Sequence, residues 1–394
     1  MSAEPARASR APTAFAVGRL RLTDFRGYAG LDLRVPATPI VLVGANGAGK
    51  TNLLEALSLL APGRGLRGAR LAEIGRFGAG PWAVHAEIAG PRGAIAIGTG
   101  LAPADLAEED DDDLEASGRR VLRIDGKPAR GAQALARTVA ALWLTPEMDR
   151  LLLDSASARR RFVDRLVVSL EPEHARRLSA YQKALRERTR ILRETPSAAS
   201  WLDAIEATLA ETGVALAAAR NAAIADLGRE LIQAAGPFPR AAVALEGGIE
   251  SALALRPALA VEDEFRRLLA AGRSRDAETG GAAEGPHRTD LAVRYVDKDR
   301  PAALCSTGEQ KALLLSLTLA QVELVTARRG GAPVLLLDEV VAHLDADRRA
   351  ALFDRLAALG CQAWMTGTDA ALFAPLAGRA VQFAVAAARL EAMS

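Results

Sequence analysis

A glycine-rich stretch near the start of the chain, GANGAGKTN at residues 44–52, constrains the possible folds more than any other feature. The run IVLV precedes this stretch and LLEAL follows it, so the pattern predicts a buried strand, a tight turn and a helix. The stretch matches G-x-x-x-x-G-K-[ST], in which backbone N–H groups and a helix N-terminus hold phosphates. A chance glycine-rich turn is the alternative, and the strand–loop–helix context favours a nucleotide site.

The residue types in this stretch suit the parts of a bound nucleotide. Gly47 and Gly49 allow a tight turn whose N–H groups point inward at the phosphates. Lys50 is predicted to reach the β- and γ-phosphates, and the Thr51 hydroxyl to bind Mg²⁺. The predicted nucleotide-binding residues are Gly44, Ala45, Asn46, Gly47, Ala48, Gly49, Lys50, Thr51 and Asn52.

A second apolar run, VLLL at residues 334–337, ends in two carboxylates, Asp338 and Glu339. A run without polar residues is typical of a strand that is covered on both faces. Asp338 is predicted to hold Mg²⁺ and Glu339 to orient or deprotonate an attacking water. The alternative is that both carboxylates only end a strand.

The stretch CSTGEQKALLLSLTLAQVELV lies between these two motifs. Ser306 to Gly308 open a predicted helix, which is apolar almost all round over residues 312–322 and is therefore buried. Such a turn can donate backbone N–H groups to a phosphate, although many helices begin with serine and glycine. Its position between the two other motifs makes it a strong indication of a second phosphate-binding turn.

Together these motifs resemble those of ABC-type ATPases. STGEQ at residues 306–310 looks like the family's signature, and Leu344-Asp345 looks like its D-loop. The resemblance implies that ATP is sandwiched between two heads, and hence that an ATP-bound homodimer with two-fold symmetry forms. In such a dimer Ser306, Gly308 and Gln310 act in trans, and Asp345 belongs to the D-loop.

The spacing between Thr51 and Ser306 indicates which group of ABC-type proteins the chain resembles. Transporter ATPases carry a far shorter segment there, and structural-maintenance-of-chromosomes proteins carry a long coiled coil, for which the helical stripes here are too short. A compact arm of intermediate length resembles the RecF family of recombinational repair proteins. LRLTDFRGYAGLDL, PEMDRLLLDSASARRRFVD, GPHRTDL and LLLDEVVAHLD also resemble that family, over about residues 17–370. Asp154, Ala156 and Ala342-His343 depart from its usual pattern.

The resemblance implies a DNA-repair protein that binds DNA when ATP closes its dimer. Members of the family act with RecO and RecR to place RecA on gapped DNA, near junctions of single and double strand. Hydrolysis is slow in this family and mainly releases the clamp. The implied activity is therefore that of a weak ATPase with Glu339 as its base.

Two arginine-rich stretches are candidates for the DNA surface. Arg64, Arg67 and Arg70 follow the phosphate-loop helix, and positive side chains bind DNA chiefly through its phosphates without reading sequence. The alternative is that these arginines contact the phosphates of the nucleotide. Residues 159–161 are the second stretch, with the alternative that these arginines pair with Asp154 and Asp164. Aromatic residues are few, so a platform on which the bases of a single strand stack in succession is not expected.

The periodicity predicts an α/β fold in which a mainly helical arm domain is inserted into a nucleotide-binding head. The resemblance implies that this head is an ABC-type P-loop ATPase head with a mixed sheet. Residues 1–16 are predicted as a disordered extension, residues 17–150 and 285–394 as the head, and residues 151–284 as the arm. Residues 17–43 and 82–122 show strand patterns, residues 171–236 show helical stripes, and glycines mark residues 272–285 as a loop.

The composition sets the remaining limits. The net charge of +2 shows no global basic field, and the acidic run at residues 108–113 indicates a solvated loop. Two cysteines favour a reducing compartment, and no run is apolar enough for a membrane span, so we expect a cytoplasmic protein. An ATP-coupled nuclease, which needs a further acidic metal cluster, and a transporter ATPase, which needs a membrane partner, are the alternative functions. The four histidines are too scattered to indicate a metal site.

Overall fold

The structure is a computed structural model that describes residues 14–102, 120–195, 198–233 and 236–393. These residues form two compact units. The first unit contains the described part of Met1–Arg130, together with Thr138–Trp143 and Val325–Ser394. The second unit contains Gly131–Arg137 and Leu144–Leu324.

Strands and helices fill most of the described chain. The strands are β1 (Ala16–Phe25), β2 (Tyr28–Arg34), β3 (Ile40–Val43), β4 (Ala83–Gly90), β5 (Gly93–Leu101), β6 (Arg120–Ile124), β7 (Lys127–Pro128), β8 (Ala141–Leu144), β9 (Ala241–Glu246), β10 (Asp290–Tyr295), β11 (Arg300–Pro301), β12 (Val334–Leu337), β13 (Ala363–Gly367), β14 (Val381–Ala386) and β15 (Arg389–Ala392). The helices are α1 (Lys50–Ser58), α2 (Ala132–Thr138), α3 (Ala156–Leu170), α4 (Glu173–Glu194), α5 (Ala199–Gln233), α6 (Gly248–Leu255), α7 (Ala258–Ala271), α8 (Arg273–Thr279), α9 (Thr307–Arg329) and α10 (Ala346–Ala358).

One sheet of mixed direction carries the phosphate loop. Its strand order is β15-β14-β3-β13-β12-β8, and β14, β3, β13 and β12 run parallel. The hairpin partner β15 is antiparallel, so the sheet is mixed. Every residue of β12 is buried, as its apolar sequence predicts. Because parallel strands end at one edge, the residues after β3, β13 and β12 lie close together.

The other sheet of the first unit is antiparallel, in the order β2-β1-β4-β5-β6-β7. The buried rings of Phe25 and Trp82 pack edge to face at one end of this sheet. The predicted strands within residues 17–43 and 82–122 are confirmed for the part of these ranges that the structure describes.

The second unit is mainly helical and includes a small sheet in the order β11-β10-β9. Helices α4 and α5 pack against each other, with Tyr181 beside Leu209 and Val214 in one apolar cluster. A separate cluster joins the end of α4 to the start of α5 through Leu192 and Leu202, so the two helices are antiparallel. The predicted α/β class, with a mixed sheet and a separate, mainly helical part, is confirmed for the described residues.

The predicted loop at residues 272–285 was wrong in its first half, which forms the short helix α8. Gly280, with φ of 81°, ends this helix instead of marking a continuous loop. Arg273 at the start of α8 forms ion pairs with Asp203 and Glu206 of α5. These tertiary contacts hold a segment whose glycine content alone indicates irregular structure.

The predicted domain boundaries remain a prediction, and the two compact units divide the chain differently. Residues 285–324, predicted as part of the head, group with the second unit. Phe15, counted with the N-terminal extension, is buried and donates its backbone N–H to the Ala332 carbonyl at 2.7 Å. Residues 1–13 and the acidic run at residues 108–113 lie outside the described residues. None of the described helices has the length and apolar character that a membrane crossing requires.

Candidate nucleotide site

The phosphate loop joins the end of β3 to the start of α1, as the sequence predicts. Gly49 immediately precedes the helix with φ of 112°, a backbone conformation that side chains other than glycine rarely adopt. A Cβ atom at Gly44 would lie 2.2 Å from the carbonyl oxygen of Val385 in β14. Glycine is therefore required at both positions for the loop to take this shape.

Lys50 is drawn into the loop that it follows. Its ammonium Nζ donates to the carbonyl oxygens of Gly44 at 2.6 Å and of Ala45 at 2.9 Å, and the residue is only 4% exposed. An ammonium has three N–H donors, so one remains beyond these two bonds. The positive charge is thus held within the loop with a donor left for an anion.

Two threonine hydroxyls lie within hydrogen-bond distance of Asp338 at the carboxyl edge of the mixed sheet. Thr51 Oγ1 lies 3.0 Å from Asp338 Oδ2, and Thr366 Oγ1 donates to Asp338 Oδ1 at 2.7 Å. Asp338 is buried. The structure therefore brings together the two predicted metal residues, Thr51 and Asp338, and their oxygen donors are of the type that Mg²⁺ prefers. In the described chain, no group of three or more His, Cys, Asp or Glu side chains is placed to hold a metal ion.

Glu339 follows directly and has an unusual backbone. Its φ is 53°, in the left-handed region that few residues other than glycine adopt. Its backbone N–H donates to Thr366 Oγ1 at 2.8 Å, which ties it to the hydroxyl that holds Asp338. Strained conformations of this kind concentrate at functional sites, where surrounding contacts impose them.

The predicted signature lies at the start of α9, where Ser306 and Glu309 are joined by hydrogen bonds. The backbone N–H and hydroxyl of Ser306 both donate to Glu309 Oε2, at 2.7 and 2.9 Å. Lys298 also pairs with Glu309, and its hydrogen bond, followed by those from Ser306, lowers the pKa of the Glu309 carboxyl to about 2. A Cβ added at Gly308 would meet nothing within 4 Å. The turn is thus fixed at Ser306 and open at Gly308.

The other predicted signature and D-loop residues hold local backbone. Gln310 is buried and donates from Nε2 to the carbonyl oxygens of Ala302 and Ala303. Asp345 Oδ1 accepts the backbone N–H of Arg348 at 2.8 Å and so begins α10. Both side chains therefore set the shape of their turns.

The three arginines of the first predicted DNA stretch differ in their surroundings. Arg67 donates to Asn52 Oδ1 at 2.9 Å and to Glu55 Oε2 at 2.8 Å, so it lies beside the nucleotide loop. Arg64 and Arg70 are exposed, and neither forms an ion pair with the residues that the structure describes. Only these two are free to meet an external phosphate.

Sequence reasoning missed three residues that support the phosphate loop. Glu55, fully buried on α1, accepts two hydrogen bonds from Arg26 as well as the one from Arg67. Tyr28 Oη donates to the carbonyl oxygen of Gly49 at 3.2 Å, and burial raises the pKa of this phenol. The sequence offered one signal of this support, Glu55 within the apolar run LLEAL, because a buried carboxylate needs a partner.

Two arginines of the second stretch, Arg159 and Arg160, bind groups within the second unit. Arg159 pairs with Asp290 at 2.6 Å, and Arg160 donates to the backbone carbonyl of Thr289. The alternative of carboxylate pairing therefore holds for Arg159, but both named partners were wrong, since Arg159 reaches only the backbone carbonyl of Asp154 and Asp164 pairs with Arg220. Asp164 is buried with Arg220 and His174, and the pull of these neighbours lowers its pKa despite the opposing cost of burial.

The fold and the phosphate loop define the class of this protein, a P-loop protein with an ABC-type head. Residues 16–375 match the model of the RecF/RecN/SMC N terminal domain. The chain is 48% identical to the DNA replication and repair protein RecF of Mesorhizobium japonicum, over 92% of this chain and 94% of the relative. It is also 48% identical to the protein of that name from Rhizobium rhizogenes, over 94% and 96%. The chain belongs to the RecF family.

Solved structures agree in fold. The recombination mediator protein RecF with ATPrS, from the RecFOR pathway, superposes with a TM-score of 0.82 at 20% identity, over 97% of this chain and 99% of that one. The Smc head domain of Pyrococcus furiosus, with an extended coiled coil and bound to the C-terminal domain of ScpA, gives 0.54 at 14% identity, over 96% of each. The higher score for the RecF structure agrees with the compact helical segment between the predicted motifs.

Proposed function

We propose that this chain is an ATP-gated DNA clamp of recombinational repair. Two copies close around ATP, with the phosphate loop of each copy facing the signature of the other. The closed dimer binds gapped DNA or a junction of single and double strand. Relatives named DNA replication and repair protein RecF, nearly half identical over almost the whole chain, support this role.

The approach of Thr51 to Asp338 carries the proposal. The two residues are 287 positions apart, and their side-chain oxygens lie 3.0 Å from each other beside a lysine held in a glycine loop. A hydroxyl next to a buried carboxylate suits Mg²⁺, which is bound through oxygen together with nucleotide phosphates. A glycine turn that only connects a strand to a helix has no need of this arrangement.

The residues of the site divide the work of binding and hydrolysis. Lys50 offers its remaining N–H to a phosphate oxygen, and Thr51 and Asp338 hold Mg²⁺, which neutralises phosphate charge when bound. Glu339 orients the attacking water and accepts its proton. Ser306 and Gly308 of the other copy contact the γ-phosphate. Hydrolysis is weak and opens the clamp.

DNA binding in this proposal depends on phosphate contacts. Arg64 and Arg70 are exposed cations that can release counterions from a duplex. Such contacts hold DNA of any sequence, which suits a repair protein that recognises a structure instead of a site. The clamp would then help RecO and RecR to load RecA, as the family resemblance implies.

Sedimentation of the Glu339→Gln protein tests the proposal. This variant should bind ATP without completing hydrolysis, and it should form dimers that carry labelled gapped DNA only when ATP is present. Lys50→Ala is the matched control, and we expect it to remain monomeric and free of DNA under both conditions. Dimers that form equally well without ATP would contradict the sandwich.

The same samples separate the clamp from its alternatives. Denaturing gels of the labelled DNA report cleavage, and ATP-dependent shortening by the wild-type chain would favour an ATP-coupled nuclease. ATP-dependent dimers that ignore DNA would point to an ABC-type ATPase with a different client. Intact DNA that sediments with the dimer supports the clamp.

A further inference from the structure

Phe77 is the most exposed large apolar side chain of the described residues, at 103% of its reference area. It lies in the segment that links α1 to β4. Two nearby aromatic residues, Phe25 and Trp82, are almost completely buried and pack on each other. Phe77 is thus left in solvent, whereas the rings of Phe25 and Trp82 are buried.

The backbone that presents Phe77 is firmly held. Ala79 N–H donates to the Arg76 carbonyl at 3.1 Å, which closes a turn with Phe77 and Gly78 at its centre. Arg76 N–H donates to the Asp24 carbonyl at 2.8 Å, and Arg76 Nε lies 2.8 Å from Asp24 Oδ1. Both bonds fix the turn to the end of β1. The ring is therefore displayed on a fixed support.

The segment of the sequence that carries this ring is basic. Residues 63–82 contain four arginines and a single acidic residue, Glu73. Arg64 and Arg70 carry no ion pair within the described residues, and Arg76 is 44% exposed although it is paired. Burying two unpaired guanidinium groups against an apolar protein surface is costly, whereas a phosphate backbone would neutralise them.

We propose that Phe77 stacks on a nucleobase of the bound DNA, at the unpaired base that adjoins the end of a duplex. An aromatic ring on the same segment as two arginines without ion pairs in the described chain offers DNA both a face for a base and charges for its phosphates. A base in the middle of a duplex is already stacked, so the gain is greatest at a junction. This inference rests on the proposed function and adds a reason for the clamp to prefer gapped DNA.

Fluorescence anisotropy with gapped DNA, ATP and the Phe77→Ala protein tests the inference. Because stacking on an aromatic side chain is worth a few kcal/mol per base, we expect binding to weaken by about 5- to 100-fold. The salt dependence should keep its slope, since no charge is removed. Phe77→Trp should restore the affinity. Affinity for an uninterrupted circular duplex should change far less.

Two further variants make the result specific. Arg70→Ala should lower the salt slope by about one, which separates a phosphate contact from a stacking contact. Leu255→Ala removes another highly exposed apolar side chain, at the end of α6, and should leave DNA binding unchanged. A fluorescent base analogue at the junction should be quenched by the wild-type protein and not by Phe77→Ala.

Equal affinity and equal quenching for Phe77→Ala and the wild type would overturn the inference and leave the clamp intact. Failure of the wild-type dimer to bind any DNA would instead overturn the proposed function. Because Phe77 is fully exposed, its replacement should not change the melting temperature, which is measured alongside.

Discussion

At the scale of single residues, the shape of the phosphate loop depends on Gly44. A methyl group there would lie 2.2 Å from the Val385 carbonyl oxygen, and neither can rotate away, because the Cβ position is fixed by the backbone and the carbonyl is part of it. We expect Gly44→Ala to lower stability by about 1–3 kcal/mol, the usual cost of overpacking, and to weaken ATP binding. Urea denaturation and nucleotide titration measure the two effects.

Gly30→Ala is the matched control for this substitution. Gly30 lies in β2, where an added Cβ would meet nothing within 4 Å. Its replacement should leave stability and ATP binding close to those of the wild type. Equal behaviour of the two variants would show that the loop can shift away from β14.

Several residues of the candidate site could be predicted because their roles follow from local spacing. Lys50 and Thr51 have fixed positions in the phosphate-loop motif, and Asp338 ends an apolar run. Arg67 could not be resolved in the same way, because its partner Glu55 lies on a different element and pairs through tertiary contact. Regularly spaced arginines predict a charged surface, but their spacing does not show which of them form ion pairs in the folded chain.

At the scale of elements, one buried arginine ties three helices together. Arg188 of α4 pairs with Glu206 of α5 at 2.8 Å and with Asp276 of α8 at 2.9 Å, and all three are almost fully buried. Removing the cation leaves two carboxylates without it in an apolar setting. We expect Arg188→Ala to destabilise the chain by about 3–5 kcal/mol in urea denaturation.

Arg190, two positions along the same helix, provides the comparison. It is about half exposed and pairs with Glu187 and Glu194. Exposed pairs contribute little, so Arg190→Ala should lower the free energy of unfolding far less than Arg188→Ala does. Similar losses for both variants would mean that the buried network contributes no more than a surface pair.

The same network explains why one element was mispredicted. Helix periodicity is visible in α4 and α5, since their apolar stripes extend over several turns. Helix α8 spans only Arg273–Thr279 and lies between glycines. Its contacts with Glu206 and with Arg188 come from other helices, and local sequence carries no trace of them.

At the scale of the whole molecule, the proposed dimer would place two parts of each nucleotide site on different chains. Lys50→Ala removes the phosphate contact from one part, and Ser306→Arg blocks the other. Neither variant by itself can then form a working site. A heterodimer of the two variants joins one intact phosphate loop to one intact signature, because a two-fold axis exchanges the partners.

Mixing the two inactive proteins should therefore restore ATP hydrolysis. Because Lys50→Ala alone does not dimerise and Ser306→Arg blocks the site of its own partner, the ATP-bound dimers of the mixture are heterodimers with one working site of two, so we expect up to about half of the wild-type rate. A chain that carries both substitutions, mixed with either single variant, should remain inactive. An inactive mixture of the two single variants, with heterodimers present by sedimentation, would show that each signature serves its own chain. Recovered activity requires that Ser306 of one copy completes the site at Lys50 of the other.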